Sequence, residues 1–168
     1  PVERILRTLT ATGTDVYLIP GNRDFLIGHD FASRTGVSIL NDSTVHWLFE
    51  SQVLLLHGDS LCVDDTEHQL FRSITQETDW RSRFLKKTVM QRESIAQSIR
   101  FRSNVEKRYK SSEIMDVNQQ AVETAIGSTP AKLMIHGHTH RPGIHHWCSD
   151  NKRYLRIVLG DWSDGPSW

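Results

Sequence analysis

An α/β fold is what this sequence predicts, and three observations predict it. Short apolar runs recur at residues 16–19, 53–56 and 133–135. Each leads into a loop where glycine sits beside Asn, His or Asp: Gly21-Asn22, His57-Gly58-Asp59 and Gly137-His138. Stretches with helical spacing of apolar residues lie between the runs, the alternation expected of a sheet covered by helices. The middle run, Val53-Leu54-Leu55-Leu56, is apolar without alternation, as in a strand buried on both faces. Ligands of open α/β sheets bind outside the carboxyl ends of the strands, which would bring Asn22, His57, His138 and His140 to one edge.

At 168 residues the chain has the length of one domain, enough to bury most of a core. Twenty Lys and Arg cancel twenty Asp and Glu, so the overall charge favours neither nucleic acid nor an acidic tail. Cys62 and Cys148 are too few for a disulfide framework and neither belongs to a CxxC pair, which favours a reducing compartment. There is no signal-peptide pattern and no apolar run approaching the roughly 20 residues of a membrane span. The expectation is a protein in solution or held at a membrane surface.

Val2, Ile5, Leu6 and Leu9 have the spacing of a helix that covers a sheet, and Thr12-Gly13-Thr14 stops it. Residues 16–19 follow as a short buried strand, with Pro20-Gly21-Asn22-Arg23-Asp24 as the loop at its end. A helix that opens the chain in mid-pattern raises the expectation that strands precede Pro1. Residues 25–34 read as a helix that Gly36 ends, and 45–50 and 52–56 as two strands turning near Glu50-Ser51. Further on, Asp116 is expected to cap a helix whose buried face carries Val117, Ala121, Val122, Ala125 and Ile126, with Gly127 as its stop. Residues 144–147 and 154–159 then form a hairpin across 149–152, in which His145 and His146 are ordinary strand residues.

The strand at 133–135 ends in His136-Gly137-His138-Thr139-His140. A turn at Gly137 would let His138 and His140 converge, and neutral imidazole is the commonest protein ligand of transition metals. A metal site is therefore expected at this strand end rather than a polar turn. Between 69 and 110 the chain changes character: eleven Lys or Arg stand against four acids, Glu77, Asp79, Glu93 and Glu106. Phe84, Leu85, Val89, Ile95 and Ile99 recur at roughly helical intervals. Most of these charges are those of a solvated helix pair. A cap whose basic face meets phosphates or anionic lipid head groups is the functional alternative. Nucleic acid is a further alternative, with thin aromatic interleaving (Phe101, Tyr109) and no base-reading motif against it.

Gly21-Asn22-Arg23-Asp24, His57-Gly58-Asp59 and Gly137-His138-Thr139-His140 resemble, in order, the later motifs of calcineurin-like metallophosphoesterases. The longer stretches Gly21-Asn22-Arg23-Asp24-Phe25, His57-Gly58-Asp59-Ser60-Leu61-Cys62, Ile114-Met115-Asp116-Val117-Asn118 and His136-Gly137-His138-Thr139-His140-Arg141-Pro142 resemble one branch of that family, the pyrophosphatases of lipid A biosynthesis. The resemblance implies an incomplete α/β/β/α metallophosphoesterase sandwich over residues 1–168, lacking its N-terminal strands, with residues 69–110 as a helical cap insertion. It implies two divalent metal ions, manganese by the family's habit, sharing a hydroxide that attacks phosphorus in UDP-2,3-diacylglucosamine. The substrate would be this nucleotide-linked glycolipid, met at a membrane surface, with no nucleic acid and no known protein partner. The location would be cytoplasmic, peripheral on the inner face of the inner membrane.

Residue by residue, the resemblance makes Asn22, His57 and His138 ligands of one ion and His140 a ligand of the other. Asn22, Arg23 and His138 fall on catalytic positions, and Asn22, Arg23, Asp65, Ser103, Lys107, Lys110 and His138 on substrate-binding ones. The family's first two motifs, an Asp-x-His and a Gly-Asp whose carboxylate bridges the metals, have no counterpart here. The 168 residues alone are therefore expected to be inactive. Most of the wider family carries His where Arg23 stands, and Arg23 keeps its proton at any ordinary pH. That substitution fits a leaving group that needs charge stabilisation rather than protonation, and an ion pair with Asp24 is the bland alternative for Arg23. Two other functions are carried beside the favoured one: a phosphodiesterase or phosphatase for nucleotides, and a non-catalytic module binding a membrane or partner.

Overall fold

A computed structural model describes residues 2–111 and 113–161, with the side chain of Lys107 outside the described set. In chain order the elements are α1 (Val2–Ala11), β1 (Tyr17–Leu18), α2 (His29–Thr35), β2 (Ser38–Ile39), β3 (Thr44–Leu48), β4 (Ser51–Leu56), a 3-10 turn (Asp59–Leu61), α3 (Thr66–Gln76), α4 (Thr78–Leu85), α5 (Val89–Lys107), α6 (Gln119–Gly127), β5 (Leu133–His136), β6 (Gly143–Ser149) and β7 (Lys152–Val158). The α/β class expected from the sequence is what the chain adopts.

The main sheet has the order β3-β4-β5-β7-β6. Its three central strands, β4, β5 and β7, run parallel, and β3 and β6 close the two sides as antiparallel hairpin partners. The β6–β7 turn places Asp150 and Asn151 at φ 48° and 60°, the left-handed pair that matches the twist of a two-residue hairpin. Helix α6 covers one face of the sheet. Val122 and Ile126 pack there against Leu54, Leu56, Leu61 and Met134, all buried. Each such side chain contributes about 1.5–3 kcal/mol by leaving water.

The α6 cap differs from the expectation. Asn118, not Asp116, accepts the backbone N–H of Ala121, at 3.1 Å, and so caps the helix. Asp116 takes the Arg141 guanidinium instead, at 2.5 Å. Both are good capping residue types, and the long-range pull of Arg141 separates them.

Helix α1 also differs. It forms where its spacing places it, but Val2, Ile5 and Leu9 of its apolar stripe remain exposed, so among the described residues it covers no sheet. It leans on α2 through polar contacts, the Thr10 hydroxyl donating to Thr35 O at 2.6 Å and Arg34 pairing with Glu3 at 2.7 Å. β1 is shorter than expected and pairs in parallel with β2 alone, leaving Tyr17 exposed. The helical expectation for 25–34 shortens to α2, which ends in Gly36 at φ 76°. The basic segment folds as three helices rather than a pair, beginning at Thr66.

Candidate metal centre

The loops that follow β1, β4 and β5 meet at one place. The ring centroids of His57, after β4, and His138, after β5, lie 5.0 Å apart. Gly21, after β1, lies directly against the His57 ring: a Cβ on Gly21 would stand 2.3 Å from His57 Cδ2 and Nε2. The neighbouring Asn22 is half-buried and lines a cavity of about 30 Å³ with Gly21, Asp42, Asp59 and Arg72. Three of the four expected metal ligands thus come from loops that touch.

Local backbone geometry sets the histidines. Gly58, at φ 111°, lies so close to the buried His136 that a Cβ would stand 2.8 Å from its Nδ1. That approach lets the β4 and β5 loops sit side by side, and the Gly137 N–H donates to His57 O at 3.0 Å. His138 and His140 both take left-handed backbone, at φ 68° and 54°. Such strain costs a non-glycine residue about 1–2 kcal/mol and is characteristic of functional loops. His140 is the outlier of the four. It is exposed and its Nδ1 faces Asp161 Oδ2 at 3.1 Å.

Electrostatics separate the groups further. Burial, reinforced by the His57 and His68 rings, pushes the His138 imidazole down to about 3, so it is neutral at every working pH. Burial would raise the Asp59 carboxyl, yet His57, His68 and the charge of Arg72 outweigh it and hold that carboxyl far below the ordinary range. His57 Nδ1 lies 3.3 Å from Asp59 Oδ1, within ionic contact but off hydrogen-bond alignment. Burial pushes the Cys62 thiol up to about 12, which removes it as a nucleophile.

The expected substrate-contacting residues fall in two groups. Asn22 and His138 are in the centre, and Arg23 is exposed on the same loop as Asn22. The ion pair of Arg23 with Asp24 gains no support, because Asp24 accepts the Gly21 N–H at 2.5 Å. Asp65 caps α3 by accepting the His68 N–H, and pairs with Lys110 at 2.6 Å. Glu67 adds a second acid to Lys110 at 3.3 Å and Glu106 a third at 3.9 Å. Ser103 is half-buried on α5; the Lys107 side chain lies outside the described residues.

Sequence reasoning missed His68, Asp59, Asp42 and Arg72. His68 reaches the site from α3, its ring centroid 5.1 Å from that of His138. Asp59 stood in a motif already singled out, but the other three carried no local signal. Their place depends on how α3 docks.

Among the described residues no three His, Cys, Asp or Glu side chains form a group able to hold a metal. Two imidazoles and an amide oxygen remain at the touching loops. One imidazole, that of His138, is held neutral, as a ligand must be. Imidazole and amide oxygen are donor types that a borderline divalent ion takes.

Curated relatives cover nearly the whole chain. A UDP-2,3-diacylglucosamine hydrolase of Chromohalobacter salexigens is 41% identical over 167 residues, 99% of this chain and 68% of that protein. The protein of that name from Marinobacter nauticus is 42% identical over 167 residues, again 99% and 68%. The one from Aeromonas hydrophila is 45% identical over 159 residues, 95% and 66%. The chain thus spans about two thirds of the length of these relatives. No family model matches it.

Proposed function

The chain belongs to the UDP-2,3-diacylglucosamine hydrolase family, and from that premise we propose that it carries metal-binding and substrate-contacting residues of an enzyme cleaving the pyrophosphate of UDP-2,3-diacylglucosamine. The products are UMP and 2,3-diacylglucosamine 1-phosphate, on the way to lipid A. The observation that carries the reading is the contact of the Asn22, His57 and His138 loops at the strand ends, with His138 neutral.

Asn22, His57 and His138 would hold one divalent ion, manganese in this reading, and His140 would serve a second. When bound, such ions polarise phosphoryl oxygens and make water a stronger nucleophile at neutral pH. The remaining work falls to this chain's own side chains. Arg23 stabilises the negative charge that gathers on the departing phosphate ester, as a fixed cation with several donors. Lys110 already carries three carboxylate partners, Asp65, Glu67 and Glu106, so a substrate phosphate would compete with or join an existing charge network. The 69–110 segment acts as the cap, its cations facing the glucosamine phosphate and its half-buried Ile95 and Ile99 facing acyl chains. No described helix is long and apolar enough to cross a membrane. A peripheral place on the inner face of the inner membrane would give the cap access to its lipid.

The test is UMP release from UDP-2,3-diacylglucosamine with added Mn²⁺, in the protein extended to the length of its relatives. Replacing Lys107 and Lys110 with Ala is expected to lower lipid-substrate turnover at least tenfold more than hydrolysis of a small aryl phosphodiester, because only the lipid substrate uses the cap. Equal losses on both substrates would remove the cap from substrate recognition. Absence of UMP release in the unsubstituted protein would remove the reading itself.

A further inference from the structure

Helix α3 does more than begin the cap. Its His68, Gln69 and Arg72 lie on the side of the helix that meets the metal centre, at i, i+1 and i+4. Arg72 meets two carboxylates from different loops: its Nη2 donates to Asp42 Oδ2 at 2.8 Å, and its Nε lies 3.3 Å from Asp59 Oδ2, in ionic contact without a hydrogen bond. The other oxygen of each carboxylate points to the same residue. Asp42 Oδ1 accepts the His57 backbone N–H at 2.9 Å, and Asp59 Oδ1 stands 3.3 Å from the His57 ring Nδ1. Gln69 fixes the loop from beneath, its amide donating to Asp59 O at 2.8 Å and Cys62 O at 2.9 Å. The Asp59 side chain is only 6% exposed and those of Arg72 and Asp42 about one fifth, so these charges meet largely out of water.

We propose that Arg72, Asp42 and Asp59 form a brace that fixes the backbone and ring of His57, leaving its Nε2, on the edge beside Gly21, for the metal. Arg72 is thereby a positioning residue and no part of the basic face that meets substrate. The inference rests on the reading of His57 as a ligand. Its physical basis is that a ligating imidazole keeps its orientation through its second nitrogen, commonly facing a carboxylate. A guanidinium spans two carboxylates with a planar fork, which an ammonium does not reproduce. Without Arg72, the buried Asp59 carboxylate and the half-buried Asp42 carboxylate would lose the cation they share, and the Asp59 loop would move.

The test is calorimetric titration of Mn²⁺ into the wild-type chain and the Arg72→Met, Arg72→Lys, Asp42→Asn and His57→Ala variants, with circular dichroism to confirm folding. Side-chain nitrogen NMR of His57 without metal supplies a second readout, since a merely structural Arg72 would leave the ring tautomer unmoved. Arg72→Met and Asp42→Asn are expected to weaken Mn²⁺ binding about 10–100-fold. Arg72→Lys should recover only part of the loss, and the Nδ1–H form of His57 should give way to a mixture. Unchanged affinity and unchanged His57 resonances in a folded Arg72→Met chain would overturn the brace. If Arg72→Met does not fold, the same two measurements on Asp42→Asn decide. Loss of binding in His57→Ala alone would overturn the brace and leave the ligand reading standing. Full binding in His57→Ala would overturn both.

Discussion

Gly21→Ala is expected to weaken Mn²⁺ binding at the candidate centre on the order of 100-fold while leaving the fold in place. The added methyl would stand 2.3 Å from two atoms of the His57 ring and 3.0 Å from a third, far inside van der Waals contact. His57 has little room to withdraw, because the His138 ring lies on one side and Asp59 on another. The ring must therefore turn or the β1 loop must lift, and either movement separates Asn22 from His57. A displacement of about 1 Å at a reacting centre costs on the order of 100-fold. Mn²⁺ affinity should fall by about that factor, and UMP release with it. Gly21 does not need positive φ, so backbone strain adds nothing to this effect. Gly13→Ala is the control: Gly13 sits at φ 86° with nothing within 4 Å of a Cβ, so that change strains a turn by about 1–2 kcal/mol and leaves Mn²⁺ affinity untouched. Metal titration beside thermal melts checks both expectations, and equal Mn²⁺ affinities in the two variants would refute them.

The second large effect is a loss of stability in mild acid. His136 is 1% exposed. Burial, with the Arg156 charge adding to it, pushes its imidazole down to about 4, against the contrary pull of the Gly137 carbonyl and Asp116. Its Nε2 faces Arg156 Nη1 at 3.1 Å, so a proton there would meet a cation. Above pH 6.5 the ring is neutral in both folded and unfolded chains and contributes no pH dependence. Between 6.5 and 4 the unfolded chain takes up a proton that the folded chain refuses, so stability falls as pH falls. At 1.36 kcal/mol per unit, the loss from this residue reaches about 3 kcal/mol near pH 4. His138, pushed down to about 3, acts in the same direction. Urea unfolding of the metal-free chain from pH 7 to pH 4 measures the slope, and His136→Gln should flatten it. Stability constant across that window would contradict the burial of both rings.

Much of the centre was legible because it sits where strands end. The apolar runs leading to Asn22, His57 and His138 announce themselves without tertiary knowledge, and the loops after them meet as α/β topology requires. What could not be read depends on contacts distant in sequence. Asp116 and Asn118 are equally good caps until Arg141, 25 residues away, draws Asp116 off. The stripe on α1 marks an apolar face but not what lies against it, and among the described residues it packs on α2 through polar groups. Arg72 and His68 belong to a segment whose composition describes a basic surface. Only the docking of α3 turns these two inward, toward Asp59. Lys110 and Asp65 appeared separately as substrate contacts, and their mutual ion pair emerged with the fold.

The claim at the centre of this account is that the β1, β4 and β5 loops form one metal site. Titration of Mn²⁺ into the 168-residue chain, followed by the loss of the free-ion paramagnetic resonance signal, tests it most directly. The account predicts saturable binding of one ion that His57→Ala and His138→Ala each remove and that the exposed His145→Ala and His146→Ala leave unchanged. Binding that survives His57→Ala and His138→Ala, or no binding at all, would contradict it.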